Sequence, residues 1–313
     1  MKKPTRVLLV EASGRGFLNH YSHALGVGLH AKNVQVCLLS GVRDELSEWV
    51  VPFEKQACLN NNWSCVKQQA LRFKADVVHF QWVDNPFSVL RLVKWLQSRG
   101  IKTVYTPHNL LPHEKRWMLM PLYRMLYRAM DKVVARDQHI AWALEELLDV
   151  NSDRVNFIPG SPNLLALKTA QTNEYSGFDL KRCPDEKRLL FFGHGSGRKG
   201  LDLLLDMLQQ QQWPEHYHLV LAGEGIISSA CPEQIDRARE KIRITLIDQY
   251  VPAQKVAQLF SSADVLLMPY TKQCKSPMLD LAAALKLPVL KSNRVNGADF
   301  RELMHGVTFD LSD

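Results

Sequence analysis

The chain has 313 residues, of which 46% are hydrophobic and 23% charged, and its formal net charge is +7. This length points to about two globular domains rather than one core. No apolar run approaches the roughly 18 residues of a membrane span. The run Val7 to Val10 after the basic start is too short for a signal peptide. The composition therefore favours a cytoplasmic globular protein.

Six cysteines lie far apart, and none of them forms a Cys-x-x-Cys pair. This spacing indicates neither a zinc site nor a disulfide framework. We therefore expect no metal, and reduced, mostly structural thiols at positions 37, 58, 65, 183, 231 and 274.

The basic excess lies entirely in the first half. Residues 1–165 hold 21 Lys and Arg against 14 Asp and Glu, a balance of +7, whereas residues 166–313 hold 18 of each. A one-sided basic domain suggests a nucleic acid, an anionic membrane or a phosphorylated ligand, with solvated charge as the default. No nucleic-acid motif accompanies the charge, so we expect no nucleic-acid partner.

Short apolar runs alternate with helical patterns along the first half. Strands are predicted at 6–10, 34–39, 76–81, 101–105, 132–135 and 155–158, and helices at 18–31, 63–74, 87–98, 114–130 and 138–148, with irregular chain before residue 62. This alternation implies a parallel sheet covered by helices on both faces.

The alternation resumes after a segment rich in Pro, Asn, Thr and Gly. We interpret 166–187 as a linker or interdomain loop between an N-terminal domain, 1–165, and a C-terminal domain, 188–313. Strands are predicted at 189–192, 218–221, 242–246, 265–268 and 289–290, with helices at 253–260 and from Ser276-Pro277 onward. Ligands of open α/β sheets bind at the carboxyl ends of the strands, so two such halves facing each other would form a cleft.

The segment Phe191 to Gly200 joins a predicted strand to a helix through glycines and two cations. Glycines let the backbone approach a ligand closely, and N–H groups at a helix start attract anions. A phosphate site is one interpretation, and a tight turn with solvated cations is the other. Residues 195–200 also spell Gly-x-Gly-x-x-Gly, which leaves a nicotinamide-dependent oxidoreductase as a third alternative, disfavoured by the two cations at its variable positions.

Four stretches of the second half, in order, resemble the retaining GT-B glycosyltransferases of family four. They are the loop ending in Lys199-Gly200, the run Val220 to Gly225, residues 246–270, and Ser276 to Val289, which resembles the helix bearing a Glu, seven residues, Glu signature. The resemblance implies an α/β GT-B fold of two Rossmann-like domains facing across a cleft. It also implies sugar transfer from a UDP- or GDP-linked donor to a saccharide or lipid-linked acceptor. No Asp-x-Asp occurs, so neither a metal nor a cofactor is expected.

The resemblance also implies roles for residues of the second half. Lys199 would stabilise the charge that grows on the leaving diphosphate, and Asp280, at the second acidic position of the signature, would bind the ribose. The implied donor-binding residues are Gly193, Gly195, Gly197, Arg198, Lys199, Val251 and Asp280, with the loop glycines supplying N–H groups. Lys272 falls on the first acidic position and His194 replaces an arginine. These departures motivate an alternative, a catalytically silent homologue that binds a nucleotide sugar or a protein partner.

In the first half the resemblance implies that His108, in the loop after the strand at 101–105, lies near the donor sugar. It is the catalytic candidate of this domain, with a structural histidine as the alternative. Gly14 and Gly16 would face the diphosphate or the acceptor. The acceptor-side candidates are Arg15, His20 and Asp84, with Tyr21 beside them. An inverting enzyme would need a base, for which Glu11 and Asp84 are candidates.

The segment Lys115 to Arg128 interleaves four cations with Trp, Tyr, Met and Leu. It is either an interfacial helix on an anionic membrane, where a lipid-linked acceptor would be found, or a core helix whose cations extend to solvent. We thus expect a cytoplasmic, peripheral enzyme of polysaccharide biosynthesis. Because family members usually continue past Asp310 to a last helix, the chain is expected to be a shortened or truncated member.

Overall fold

The computed structural model of the chain describes residues 3–60, 63–111, 116–159, 182–195, 197–230, 232–272, 274–296 and 306–309. The chain divides into two compact units, Met1–Leu164 and Leu165–Asp313. Each unit has its own parallel sheet, which confirms the predicted α/β class.

The first unit alternates strands and helices. Its strands are β1 (Arg6–Glu11), β2 (Gln35–Gly41), β3 (Glu54–Leu59), β4 (Val77–Phe80), β5 (Lys102–Tyr105), β6 (Lys132–Ala135) and β7 (Val155–Phe157). Its helices are α1 (Gly16–Ala31), α2 (Ser64–Arg72), α3 (Pro86–Gln97), α4 (Arg116–Ala129) and α5 (Gln138–Trp142), which continues as a π-helical turn over Ala143–Leu147.

The strand order of this sheet is β3-β2-β1-β4-β5-β6-β7, and every pair is parallel. Because the crossovers run in opposite directions from β1, a topological switch point lies at the carboxyl ends of β1 and β4. The strands are apolar runs because both faces are covered. Leu8 and Val10 pack into one hydrophobic layer, and Val7 and Leu9 into the other.

The structure differs from the sequence prediction at the edge of the first sheet. β3 lies where irregular chain was expected, because an edge strand that is only partly buried lacks a continuous apolar run. Cys58, near its end, and Cys65, in α2, form a disulfide with their Cα atoms 6.5 Å apart. The expectation of reduced thiols is therefore wrong for this pair, since the end of β3 and the first turn of α2 bring together cysteines seven positions apart. Cys37 and Cys183 are free.

The second unit repeats the architecture. Its main strands are β8 (Lys187–Phe192), β9 (Tyr217–Ala222), β10 (Arg243–Ile247), β11 (Val265–Met268), β13 (Val289–Ser292) and β15 (Gly306–Phe309), and β12 (Cys274–Lys275) pairs with β14 (Val295–Asn296). Its helices are α6 (Leu201–Leu208), α7 (Ile226–Ser229), α8 (Pro232–Arg239), α9 (Ala253–Ser261) and α10 (Pro277–Ala284). The predicted start of α10 is confirmed, because the Ser276 side chain caps it by accepting from the Met278 N–H.

The strand order β10-β9-β8-β11-β13-β15 places the second switch point between β8 and β11. The opposite, amino edge of this sheet holds a buried ionic cluster. Glu186 accepts hydrogen bonds from Arg188 Nε and His218 Nδ1, both at 2.8 Å, and lies 3.4 Å from a nitrogen of Arg243. Burial raises the pKa of Glu186, but hydrogen bonds from His218, the Cys183 N–H and Arg188 outweigh it and lower this pKa to about 2.

Candidate functional site

The glycine loop that follows β8 is built around the ammonium of Lys199. Gly193 has a φ of +118°, and a Cβ placed there would lie 2.0 Å from Lys199 Nζ. The same nitrogen donates to the Phe192 carbonyl at 3.4 Å and lies 5.6 Å from the centroid of the Tyr270 ring. Because Gly193 has no side chain, the Lys199 ammonium can lie at the carboxyl end of β8.

Three loops at this edge of the second sheet approach one another at distances that only glycine permits. At Gly200, where φ is +69°, a Cβ would lie 1.9 Å from the Pro269 carbonyl oxygen in the loop after β11. At Gly223, in the loop after β9, it would lie 2.1 Å from the Gly193 carbonyl oxygen. At Gly195 it would lie 2.3 Å from that of Gly225. The loops after β8, β9 and β11 thus form one packed surface.

The glycines of the first loop differ in what they offer a ligand. The N–H groups of Gly193 and Gly195 donate to the Ala222 and Glu224 carbonyls at 2.9 and 3.0 Å. These two glycines therefore provide space, since their N–H groups are engaged within the unit. Among the described residues nothing lies within 4 Å of a Cβ placed at Gly197, so the turn Gly197–Lys199 is the open part of the loop.

The other predicted donor-side residues follow carboxyl strand ends of the same sheet. Val251 is buried in the loop after β10, and Lys272 is exposed in the loop after β11. Asp280 is exposed in the first turn of α10. Sequence reasoning missed Asp248, whose carboxylate accepts from the Ile226 N–H at 2.7 Å and so fixes the start of α7 beside the second glycine loop.

The glycine turn of the first unit is held by carboxylates. The buried side chain of Glu11 accepts from the N–H groups of Ser13 and Gly14 at 2.7 and 2.9 Å. Burial raises the pKa of Glu11, against the effect of these hydrogen bonds. Glu45, which sequence reasoning missed, accepts from the Gly16 N–H at 2.5 Å. The N–H groups of Gly14 and Gly16 are thus engaged within the first unit.

The acceptor-side candidates have three different environments. His20 is buried, and burial lowers its pKa to about 4. It is therefore neutral at neutral pH, and its Nε2 contact with Glu45 at 3.6 Å is not an ion pair there. Arg15 is exposed beside the start of α1. Asp84 is exposed and accepts a hydrogen bond from Trp82 Nε1.

His108 lies against aromatic rings at the carboxyl edge of the first sheet. Its ring meets those of Phe17 and Tyr21 edge-on at centroid distances of 5.6 and 4.6 Å. Among the described residues neither ring nitrogen has a hydrogen-bond partner. Burial, with smaller contributions from Arg136 and His79, holds the pKa of His108 well below its ordinary value. The imidazole is neutral and offers one donor and one acceptor.

Helix α4 buries one face and exposes another. Tyr123 and Tyr127 lie in the core, whereas Met118 and Met125 are 78% and 57% exposed. Arg124 and Arg128 both contact Asp149. Lys115 lies outside the described residues. In the part of the chain that the structure describes, no helix has the length and apolarity needed to cross a bilayer, and no group of three or more His, Cys, Asp and Glu could hold a metal ion.

Two family matches cover most of the chain. Residues 18–161 match Glycosyltransferase Family 4, and residues 186–311 match Glycosyl transferases group 1. A relative in Xanthomonas campestris pv. campestris, a GDP-mannose:glycolipid 4-beta-D-mannosyltransferase, is 25% identical over 243 residues. That alignment covers 71% of this chain and 63% of the relative, so the chain spans less than two thirds of the relative's length.

Solved structures share the fold of the whole chain. A glycosyltransferase from Rickettsia africae superposes with a TM-score of 0.66 at 17% identity, covering 99% of this chain and 85% of that one. Anabaena HepE in complex with UDP superposes with a TM-score of 0.65 at 16% identity, covering 98% and 86%. The two family matches show that the chain carries a Glycosyltransferase Family 4 domain followed by a Glycosyl transferases group 1 domain, and the superpositions show that it shares its fold with solved GT-B glycosyltransferases.

Proposed function

We propose that the chain is a metal-independent glycosyltransferase that moves a hexosyl group from a nucleoside diphosphate to a saccharide or lipid-linked acceptor. The Xanthomonas relative, whose name specifies a GDP-mannose donor and a glycolipid acceptor, supports this class of reaction. So does HepE, which was solved with UDP-glucose. The observation that carries the proposal is the position of Lys199 Nζ over Gly193, at the switch point of the second sheet.

The proposed chemistry follows from the charges around this loop. When the bond between sugar and diphosphate breaks, negative charge accumulates on the leaving phosphate. The Lys199 ammonium and the Arg198 guanidinium would stabilise that charge, as positioned cations do in other phosphate sites. Asp280 would accept hydrogen bonds from the ribose hydroxyls. Neutral His108 would hydrogen-bond the sugar rather than act as a cation.

Replacing Lys199 tests the diphosphate site. We expect Lys199→Ala to weaken UDP or GDP binding by about 10- to 100-fold, since a hydrogen bond to a charged group contributes about 1.5–3 kcal/mol. Isothermal titration calorimetry measures this loss. Lys187→Ala is the matched control, because Lys187 is exposed at the opposite end of β8. An equal loss of nucleotide affinity in both variants, or no loss in either, would contradict the proposal that Lys199 binds the diphosphate.

A catalytically silent homologue is the second candidate, because Lys272 is exposed where the family resemblance implies a Glu near the sugar. Transfer or donor hydrolysis by the wild-type protein that disappears in Lys199→Ala excludes this candidate. The family match leaves a nicotinamide-dependent oxidoreductase without support.

We further propose that the first unit contacts an anionic membrane through the exposed face of α4, where a lipid-linked acceptor would be presented. The support is the pair of exposed methionines on that face and the basic balance of residues 1–165. Location on the cytoplasmic side of the membrane stays a prediction.

A further inference from the structure

Gln81 follows β4 at the switch point of the first sheet. Its N–H donates to the Val10 carbonyl at 3.0 Å, so the residue extends the β1–β4 pairing beyond the strand end. Its side chain is fully buried. Among the described residues neither Oε1 nor Nε2 of this side chain has a hydrogen-bond partner.

A buried side-chain amide without hydrogen-bond partners destabilises the ligand-free protein. Its polar atoms have lost their hydrogen bonds to water and have gained none among the described residues, which makes burial of the amide unfavourable. Most buried polar side-chain atoms in proteins do have partners. Gln69 in the same unit follows that rule, since it is buried and donates to Gln56 Oε1. The unsatisfied amide lies at the edge of the sheet where α/β folds bind ligands.

A second side chain without hydrogen-bond partners among the described residues, that of His108, lies in the loop that follows the neighbouring strand, β5. The Thr106 N–H donates to the Phe80 carbonyl, which aligns Thr106 with Gln81 across β4 and β5. Strand alternation places Gln81 on the same side as His79, whose Nε2 contacts Thr106 Oγ1 at 2.8 Å. His108, with both ring nitrogens unpartnered among the described residues, follows two positions later.

The Gln81 amide and the His108 imidazole are better suited to hydrogen-bond hydroxyls than phosphates. An amide has two N–H donors and a carbonyl acceptor, and a neutral imidazole has one of each. A hydroxyl both donates and accepts, whereas a phosphate only accepts and prefers cationic partners. We propose that Gln81 hydrogen-bonds a hydroxyl of a sugar ring and thereby determines specificity in the transfer reaction. This inference rests on the proposed function, and the hydroxyl belongs either to the transferred sugar or to the acceptor saccharide.

The variant Gln81→Leu tests the inference, because it removes both polar atoms at similar volume. If the transferred sugar is bound, affinity for UDP-glucose or GDP-mannose falls at least about tenfold, the equivalent of one hydrogen bond, while affinity for UDP and GDP stays within twofold. If the acceptor is bound, donor affinity is kept and the KM for octyl glucoside rises at least about tenfold. Calorimetry and initial rates separate these two sources.

The thermal stability of Gln81→Leu distinguishes a binding role of Gln81 from a structural one, because loss of a stabilising side chain would lower the Tm. Because the amide is unsatisfied, we expect Gln81→Leu to raise the Tm by about 2–4 °C. Gln69→Leu, the matched control, removes a partnered amide and is expected to lower the Tm without changing sugar affinity.

Three results would overturn the inference. Sugar affinity and acceptor KM both unchanged in Gln81→Leu would show that the amide binds no sugar. UDP and GDP affinities that fall as much as those of the nucleotide sugars would show a nucleotide contact instead. If the wild-type protein binds neither nucleotides nor nucleotide sugars, the proposed function fails first, and the role of Gln81 fails with it.

Discussion

At the scale of single residues, the second unit depends on glycines for two different reasons. Gly193 leaves room for the Lys199 ammonium, which we propose binds the donor diphosphate. Gly200 lets two backbone segments meet, because its α-carbon faces the Pro269 carbonyl oxygen. Both positions are glycine in the sequence, so their different roles can be recognised only from the atoms that surround them in the structure.

A pair of alanine substitutions tests this distinction. At Gly200 an alanine would adopt a φ of +69° with its Cβ 1.9 Å from a backbone oxygen. We therefore expect Gly200→Ala to lower the free energy of unfolding by about 2 kcal/mol or more. Gly197→Ala should change it by less than about 0.5 kcal/mol, because the space there is open. Urea unfolding measures both, and equal losses would contradict the assignment.

At the scale of elements, the described part of α4 has a buried face and an exposed apolar face. Its tyrosines pack into the core, as a core helix requires, while Met118 and Met125 stand out in solvent. Arg124 and Arg128 both contact Asp149, and we propose that the two exposed methionines are the side chains that enter a membrane.

Removing the two exposed methionines tests membrane contact by α4. We expect Met118→Ser/Met125→Ser to weaken binding to phosphatidylglycerol vesicles by about tenfold, since part of the burial energy of two side chains, about 1.5–3 kcal/mol each when complete, is lost. Vesicle co-sedimentation at low and high salt measures this. Met207→Ser is the control, because Met207 is exposed in the second unit. Wild-type binding by the double variant would exclude α4 as the contact.

At the scale of the whole molecule, two sheets of the same strand order are stabilised differently. The first unit has the disulfide between Cys58 and Cys65 beside its edge strand. The second has the cluster of Glu186, Arg188 and His218, all nearly fully buried. A buried carboxylate with several donors makes the stability of the second unit depend on pH.

The lowered pKa of Glu186 determines the direction in which the stability of the second unit changes with pH. Because this pKa is lowered from 4.5 to about 2 in the folded state, its contribution is present above pH 4.5 and is lost as the pH falls towards 2. We expect Glu186→Gln to lower the free energy of unfolding by about 3–5 kcal/mol at pH 7, since the buried Arg188 guanidinium loses its carboxylate counterion, and to flatten the loss of stability in acid. Denaturation midpoints between pH 2 and 7 measure this. Exposed Glu215→Gln should behave like the wild type, and an unchanged slope in Glu186→Gln would refute the assignment.

The elements that sequence reasoning predicted are those whose signal is local. The apolar run of β11 and the Ser276 cap of α10 were placed at their observed positions. β3 was missed because its partly exposed residues carry no continuous apolar run. The Cys58–Cys65 pairing depends on the close approach of β3 and α2, which cysteine spacing alone does not reveal.

The candidate site was less accessible from sequence, because roles there depend on partners. In the sequence, Gln81 is an ordinary polar residue after a predicted strand. Only the structure reveals that its side chain is buried and has no hydrogen-bond partner among the described residues. Glu45 lies 29 positions from the Gly16 N–H that it accepts from, a distance at which sequence patterns give no indication. The roles of His108, Lys199 and Asp280 stay predictions.

The ionic cluster and the glycine loops lie at opposite ends of the same strands. In the second unit, β8 begins beside the cluster at Lys187 and ends at Phe192. Gly193 follows directly, about 20 Å from Lys187 at roughly 3.3 Å per residue. Substitutions at the loop edge therefore leave the stabilising cluster untouched. Laboratory evolution of donor preference can be confined to that edge, and libraries that keep Gly193, Gly195, Gly200 and Gly223 unchanged should retain a high folded fraction while their sugar selectivity diversifies.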